Sequence, residues 1–181
     1  RPIYELNGSN SVINSNIYGI NLICRKDNSG AAAYYFYNAH GDTTNLVKQD
    51  GTVLANYYYD AFGNLTDFGG NKIQQDAADK NPFLYVGEYA EYDKETGLYL
   101  MGARYYDANV ARFITEDTYT GDPNDPLSLN LYTYCANEPI NRWDPTGHWY
   151  DCHGAWHDEE GKTGTNVWDD GVAGTSPGSC Y

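Results

Sequence analysis

Short runs of aromatic and β-branched residues alternate with polar, turn-forming residues along the first third of the chain. The runs recur at spacings of about 8 to 12 residues, which is typical of strands joined by tight turns in an antiparallel sheet. The pattern predicts a mainly β chain built from stacked antiparallel hairpins. Strands are predicted at residues 18–24, 33–38, 44–48 and 53–59, with turns at residues 26–30, 40–42 and 50–51.

The middle of the chain, residues 71–147, predicts further strands with a few short helical pieces. Residues 74–80 fit one helical turn, which Pro82 would end because proline cannot continue a helix. Residues 83–92 and 98–106 have the composition of the two arms of a hairpin.

Residues 127–132 fit both a strand and a helix, because their apolar positions match period 2 and period 3.6. A short helix within residues 127–134 is favoured here. Ser128 is a suitable cap for its start, and Asn137 and Pro139 would end it.

The last 34 residues, 148–181, differ in composition from the rest. They hold three of the four tryptophans and six glycines, and they are acidic and poor in aliphatic residues. We therefore expect three parts: hairpins in 1–70, a core region in 71–147, and a divergent loop-rich tail in 148–181.

The composition limits the kinds of partner that the chain is expected to bind. The chain has 19 tyrosines, whose rings favour pleated sheet and whose hydroxyls seek a polar partner. Its net charge of −14 repels phosphate backbones and anionic lipid, so we expect neither nucleic-acid binding nor membrane insertion. No apolar run approaches the length of about 18 residues that a membrane span needs.

Four cysteines leave two interpretations open. Cys152 and Cys180 enclose the tail, and a disulfide between them would compensate for its missing core. Alternatively, all four thiols are unpaired in a reducing environment.

A series of motifs resembles one known family. Tyr59-Asp60-Ala61-Phe62-Gly63-Asn64, Arg104-Tyr105-Tyr106-Asp107 and Asp144-Pro145-Thr146-Gly147 are similar to the tyrosine–aspartate (YD) repeats and the repeat-associated core of Rhs proteins. These are large bacterial shell proteins that carry a variable C-terminal segment. The resemblance implies a YD-repeat shell type of fold and a secreted or cell-surface location. The residues that match the core motif are Tyr59, Asp60, Gly63, Gly97, Arg104, Tyr106, Asp107, Arg112, Phe113, Tyr132, Asn137, Pro139, Pro145 and Gly147.

The Tyr-Asp pairs favour a structural role over acid–base catalysis. Adjacent residues in a strand point to opposite faces, so the tyrosine packs while the aspartate closes the next turn. Arg104 and Arg112 flank one such pair, with Glu116 and Asp117 close behind in sequence. An arginine between tyrosines and carboxylates predicts a buried clamp. At Ala111 the chain departs from the glycine usual in the family.

Asp144 is the candidate catalytic residue. The resemblance implies that some members cut their own backbone shortly after this motif through aspartates, which here would fall near residues 148–150. Such chemistry needs one carboxyl that donates a proton and one that accepts it. The alternative is a turn in which Pro145 fixes φ and Gly147 permits positive φ. His148 departs from the Leu or Trp usual after the motif.

Cys152, His153 and His157 are a weak zinc candidate, since a single Cys-His cluster more often marks a solvated loop. No cofactor is predicted.

The function predicted first is a shell or plug segment that encloses or displays the C-terminal segment. Its expected partners are its own upstream YD-repeat shell, other copies of itself, or a cell-surface or carbohydrate target. The alternatives are a self-associating extracellular adhesion or fibre-forming module and an aspartyl self-cleaving domain.

Overall fold

The computed structural model describes residues 2–76, 79, 81–87, 89–120, 123–124, 126–144 and 146–148, and the backbone of three two-residue strands beyond them. The chain divides into two compact units, Arg1–Tyr92 and Asp93–Tyr181. Strands are the dominant regular structure in both, so the prediction of a mainly β fold is confirmed.

The first unit is dominated by a six-stranded antiparallel sheet in which each strand lies beside its sequence neighbours. Its strands are β1 (Tyr4–Leu6), β2 (Val12–Tyr18), β3 (Leu22–Asp27), β4 (Ala32–Tyr37), β5 (Thr43–Lys48) and β6 (Val53–Asn56). A shorter pair follows, β7 (Tyr58–Tyr59) and β8 (Leu65–Thr66). The strand predicted at residues 18–24 is wrong as one continuous strand, because the chain turns between β2 and β3, where the N–H of Gly19 bonds the carbonyl of Asn21.

One turn chemistry recurs between these strands. Oδ1 of Asp60 accepts the N–H groups of Phe62 (3.0 Å) and Asn64 (2.9 Å). Gly63 between them has a φ of 91°, which glycine adopts without steric cost. A Cβ on Gly63 would also lie 2.5 Å from the ring of Tyr85. The same hydrogen bond, in which the N–H four residues later donates to the side-chain oxygen, occurs at Asn7, Asp27, Asn38 and Asp67.

Residues 81–86 pack against the sheet of the first unit by apolar and polar contacts together. Phe83, Leu84 and Val86 are almost completely buried. The hydroxyl of Tyr35 donates to Oδ1 of Asn81 at 2.7 Å, and both side chains are buried. The polar bond satisfies groups that would otherwise be costly to bury.

Shorter strands follow from the end of the first unit onward. They are β9 (Ala90–Asp93), β10 (Leu98–Met101), β11 (Arg104–Asp107), β12 (Arg112–Phe113), β13 (Arg142–Trp143), β14 (Asp151–Cys152), β15 (Trp156–His157) and β16 (Thr163–Gly164). The first four form one sheet in the order β12-β11-β10-β9, and the others form the pairs β13-β14 and β15-β16. The boundary between the two units falls inside β9.

Residues 98–106, predicted as one arm of a hairpin, instead form a hairpin by themselves. The chain reverses at Gly102 and Ala103, so that Tyr99 of β10 lies opposite Tyr106 of β11. Gly102 has a φ of 53°, and the N–H of Ala103 donates to the carbonyl of Thr146 at 2.9 Å. A contact distant in sequence therefore fixes this turn.

An aromatic core lies behind this hairpin. Tyr106 and Tyr134 are fully buried, with ring centroids 4.5 Å apart. Phe113 completes the group at 5.8 Å from each of them. Edge-to-face and tilted ring contacts of this kind stabilise a core beyond the area they bury.

The short helix predicted within residues 127–134 is not formed. The carbonyls of Leu131 and Tyr132 accept the N–H groups of Asp117 and Phe113, and Thr133 forms an antiparallel bridge with Arg112, so this end of the segment lies along β12 instead. A single 3₁₀ turn follows at Cys135–Asn137, and all three of its residues have positive φ.

Of the helical turn predicted at 74–80, the residues the structure describes are Gln74, Gln75, Asp76 and Asp79. None of these four lies in a helix, and the other three positions fall outside the described residues. In the described part of the chain, no helix has the length and apolarity to cross a bilayer.

Candidate functional site

Asp144 closes a turn with its side chain. Its Oδ1 accepts the N–H groups of Thr146 (3.2 Å), Gly147 (2.7 Å) and His148 (3.2 Å), and the hydroxyl of Thr146 at 3.3 Å. Only 3% of Asp144 is exposed. Three backbone donors on one oxygen hold the residues after Asp144 in a fixed arc around it.

Gly147 allows this turn to lie against the β10–β11 hairpin. Its φ is 74°, and a Cβ at this position would overlap the carbonyl of Met101. A Cβ on Gly102 would in the same way overlap the backbone of Thr146. The two glycines therefore let two backbone segments approach more closely than any other residue type permits.

Arg104 joins the turn to the rest of the second unit. Its guanidinium lies 2.7 Å from Oδ2 of Asp117 and 3.4 Å from Oδ2 of Asp144. It also donates to the carbonyls of Gly147 and Leu131. The expected clamp of arginine and carboxylate is present, and its partners lie on three separate segments of the chain.

The ring of Phe113 covers one side of the clamp. Cζ of Arg104 lies 3.6 Å from the centroid of this ring, a cation–π contact. Only 4% of Arg104 is exposed. A charge buried to this extent is tolerated because its donors are matched by carboxylates and carbonyls.

His148 extends the site outward. Its Nδ1 lies 3.3 Å from Oδ1 of Asp117 and 3.4 Å from the hydroxyl oxygen of Thr118. We call Arg104, Asp117, Asp144 and His148 the Arg104 cluster. It places a basic ring, a carboxylate, a guanidinium and a second carboxylate in contact, so these four groups interact electrostatically.

Burial dominates the electrostatics of Asp144. It raises the pKa of this carboxyl to about 6, although Arg104 and the three N–H donors act in the opposite direction. Burial also lowers the pKa of Arg104, opposed by Asp117 and Asp144. Asp144 therefore exchanges its proton near neutral pH, as a general acid or base must.

Of the residues predicted for the core motif, the structure brings Arg104, Phe113 and Gly147 together with the candidate catalytic residue Asp144 in and around the cluster. Tyr106 lies in the aromatic core behind Phe113. Tyr59, Asp60 and Gly63 belong to the first unit and build a hairpin turn there.

The remaining motif residues serve the backbone of the second unit. Gly97 and Asn137 have positive φ in turns. Asp107 accepts the N–H of Asn109 at 2.8 Å, and Arg112 bridges to Thr133. Of the other motif residues, Tyr132 is exposed and Pro139 is buried, and Pro145 lies outside the described residues.

The cysteine and zinc predictions concern side chains outside the described part of the chain. These are Cys152, His153, His157 and Cys180, so the disulfide and the weak metal candidate stay predictions. Cys24 and Cys135 are buried free thiols. Among the described residues no group of His, Cys, Asp and Glu has the arrangement of a metal site.

Sequence reasoning predicted a pair between Arg104 and a nearby acid, but it did not identify the contact of His148 with Asp117. Asp117 was noted only as an acid near Arg104, and His148 only as a departure from the family motif. The two residues lie 31 positions apart in the sequence, so their contact with each other depends on tertiary structure. The signal available was the scarcity of cations, which makes Arg104 a natural partner for nearby carboxylates.

Comparison with known proteins shows similarity to segments of large proteins. The chain is 38% identical over 149 residues to the tRNA3(Ser)-specific nuclease WapA of Bacillus spizizenii. It is 36% identical over 148 residues to the tRNA(Glu)-specific nuclease WapA of Bacillus subtilis subsp. natto. Each alignment covers 81% of this chain and 6% of the relative. No protein-family model matches the chain.

The fold has a counterpart in a solved structure. The crystal structure of TcdB2-TccC3 superposes with a TM-score of 0.61 at 23% identity, covering 81% of this chain and 7% of that one. The chain is thus similar to short segments of these larger proteins, and spans only a small fraction of each.

The pKa of Asp144 predicts how the stability of the second unit depends on pH. The folded value of about 6 lies above the ordinary value of 3.8, so the fold binds this proton more tightly than the unfolded chain does. The resulting stabilisation is complete below about pH 4 and is lost as the pH rises through about 6, by about 3 kcal/mol. We expect Asp144→Asn, which stays neutral, to remove this loss.

Tryptophan fluorescence in denaturant titrations at about pH 4 and about pH 7 measures the effect. All four tryptophans lie in the second unit, so the signal reports its unfolding. Asp107→Asn changes another turn aspartate of this unit and serves as the control. If wild type and Asp144→Asn change in stability equally between the two pH values, the described ionisation of Asp144 is wrong.

Proposed function

We propose that this chain is a C-terminal shell or plug segment of a secreted or cell-surface bacterial Rhs-type YD-repeat protein. In this role it encloses or displays a variable C-terminal segment. The observation that carries the proposal is the pattern of similarity: two relatives named for different tRNA specificities share this one segment at 36% and 38% identity. A segment common to proteins of different specificity fits a scaffold better than the part that selects a substrate.

The geometry supports a scaffold. The six-stranded sheet of the first unit ends in two edge strands, β1 and β6, so strands of a longer protein can continue it on either side. Tyr4 and Leu6 on β1 are both more than half exposed. Exposed apolar side chains on an edge strand suit pairing with a further strand.

The tRNA nuclease activity of the relatives is not part of the proposal. The chain spans 6% of those proteins, and its net charge of −14 opposes contact with a polyanion. The proposed partner is the upstream shell of the same protein.

Binding in trans tests the shell role. We expect the chain to bind the polypeptide encoded directly upstream in its own reading frame, measured by calorimetry and light scattering. Tyr4→Lys should weaken this binding about tenfold or more, because lysine on an edge strand discourages pairing. Ile20→Lys, which changes a residue 91% exposed in a turn, is the matched control.

Three outcomes separate the candidates. Binding that is sensitive to Tyr4→Lys supports the shell. Growth of the chain into larger particles with concentration, with no affinity for the upstream polypeptide, supports a self-associating adhesion or fibre module. A monomer that binds neither contradicts both.

Self-cleavage is a second candidate, favoured by one observation. Asp144 is buried with a pKa of about 6, and a second carboxylate, Asp117, shares Arg104 with it. Two carboxyls close together can act as a general acid–base pair, in which one activates water and the other protonates the leaving nitrogen of a peptide bond. The N–H of His148 on Oδ1 of Asp144 keeps the backbone after Gly147 near both.

Intact mass under denaturing conditions tests this candidate. Cleavage predicts a large fragment ending near residues 148–150 and a small acidic peptide, while Asp144→Asn remains whole. Asp60→Asn, which changes an aspartate in a similar side-chain-capped turn, should behave as the wild type does. A wild type of full mass leaves Asp144 with its turn role alone.

A further inference from the structure

The Arg104 cluster contains more acid than base unless an extra proton is present. Arg104 contacts both Asp117 and Asp144, so ionisation of both carboxylates leaves one negative charge uncompensated. Asp144 is 3% exposed and Arg104 is 4% exposed. An uncompensated charge in such a place is costly, and the cost falls if the cluster gains one proton.

Besides the carboxyl of Asp117 itself, two groups can hold that proton. One is the carboxyl of Asp144, at the buried end of the cluster. The other is the imidazole of His148, whose Nδ1 lies 3.3 Å from Oδ1 of Asp117. His148 is also tied to Asp144 through its backbone N–H at 3.2 Å. It therefore contacts one carboxylate by its side chain and the other by its main chain.

The other described ionisable groups nearby do not compete. Burial raises the pKa of Cys135 well above its ordinary value, so this thiol stays neutral. Arg142 pairs with Glu138 at 3.1 Å. Thr118 offers His148 only a hydroxyl, at 3.4 Å.

We propose that His148 is the second proton-holding group of the Arg104 cluster, and that one proton is shared between its imidazole and the carboxyl of Asp144. When the imidazole is protonated, its charge and that of Arg104 balance both carboxylates, and Asp144 ionises. When the imidazole is neutral, the proton resides on Asp144. His148 acts through Asp117, so it is a positioning residue that adjusts the pH at which Asp144 changes state.

The consequence for chemistry rests on the proposed self-cleavage. If Asp144 cleaves, the half-exposed imidazole sets the pH at which the buried carboxyl is in its reactive form. Solution pH would then reach Asp144 through a group at the surface, although Asp144 itself is closed off from water.

Carbon-13 NMR of the Asp144 carboxyl in the full chain, from about pH 4 to about pH 8, tests the shared proton. His148→Gln keeps a hydrogen-bonding side chain but removes the charge. We expect it to raise the titration midpoint of Asp144 by about half a pH unit or more. His40→Gln is the matched control, because His40 forms a similar pair with Asp42 at 2.9 Å in the first unit.

The link between His148 and Asp144 through Asp117 is tested by a second variant. In an Asp117→Asn background, His148→Gln should change the Asp144 midpoint much less, since the connecting carboxylate is gone. Because the coupling is reciprocal, Asp144→Asn should also shift the pH midpoint at which the His148 ring signals titrate. If the pH titration curve of the Asp144 carboxyl is the same in wild type and His148→Gln, the proposal is overturned. If His148→Gln does not fold, the titration of the His148 ring signals in Asp144→Asn decides instead.

Intact mass, recorded for each sample, keeps the two proposals separate. A wild type of full mass at every pH defeats self-cleavage while the titration still decides the shared proton. A wild type that cleaves with the same pH profile as His148→Gln defeats the role of His148 and leaves cleavage standing.

Discussion

The buried guanidinium of Arg104 is the interaction on which the second unit depends. It connects β11 with Asp117, with the carbonyl of Leu131 and with the turn at Asp144. These segments lie far apart in sequence and have little regular structure of their own. Their positions are set because each supplies an acceptor that a buried arginine requires.

The arginine and the aromatic core support each other. Phe113 stacks on the guanidinium with one face and packs against Tyr106 and Tyr134. The rings exclude water, which strengthens the ion pairs, and the ion pairs fix the strands that carry the rings. In the first unit the corresponding role falls to a repeated turn in which an aspartate or asparagine binds backbone N–H groups, as Asp60 does.

The sequence indicated the parts of this structure that depend on local chemistry. Alternating apolar positions and Asp-x-x-Gly turns fix a meander, because each strand pairs with its neighbour in sequence. The turn roles of Asp60 and Gly63 follow from the same local rules. The clamp at Arg104 was expected in kind, since few cations are available to many carboxylates.

What the sequence did not indicate depends on contacts between distant residues. The reversal at Gly102 packs against the backbone of Thr146, a contact that no local pattern shows. The segment at residues 127–134 matched a helical period, yet residues 131–133 pair with Asp117 and with β12. No local pattern marks His148 as a partner of Asp117. The candidate site is therefore a product of tertiary structure, although its central residue was visible in the motif.

Amide hydrogen exchange at Gly147 and His148 tests most directly whether Arg104 holds the site together. Both amides donate to Oδ1 of Asp144, which Arg104 contacts. In Arg104→Lys the charge remains, but the bridge to two carboxylates and two carbonyls is lost. The account predicts exchange at these amides about tenfold faster or more than in wild type, with no change in Arg112→Lys. Unchanged protection of Gly147 and His148 in Arg104→Lys would contradict it.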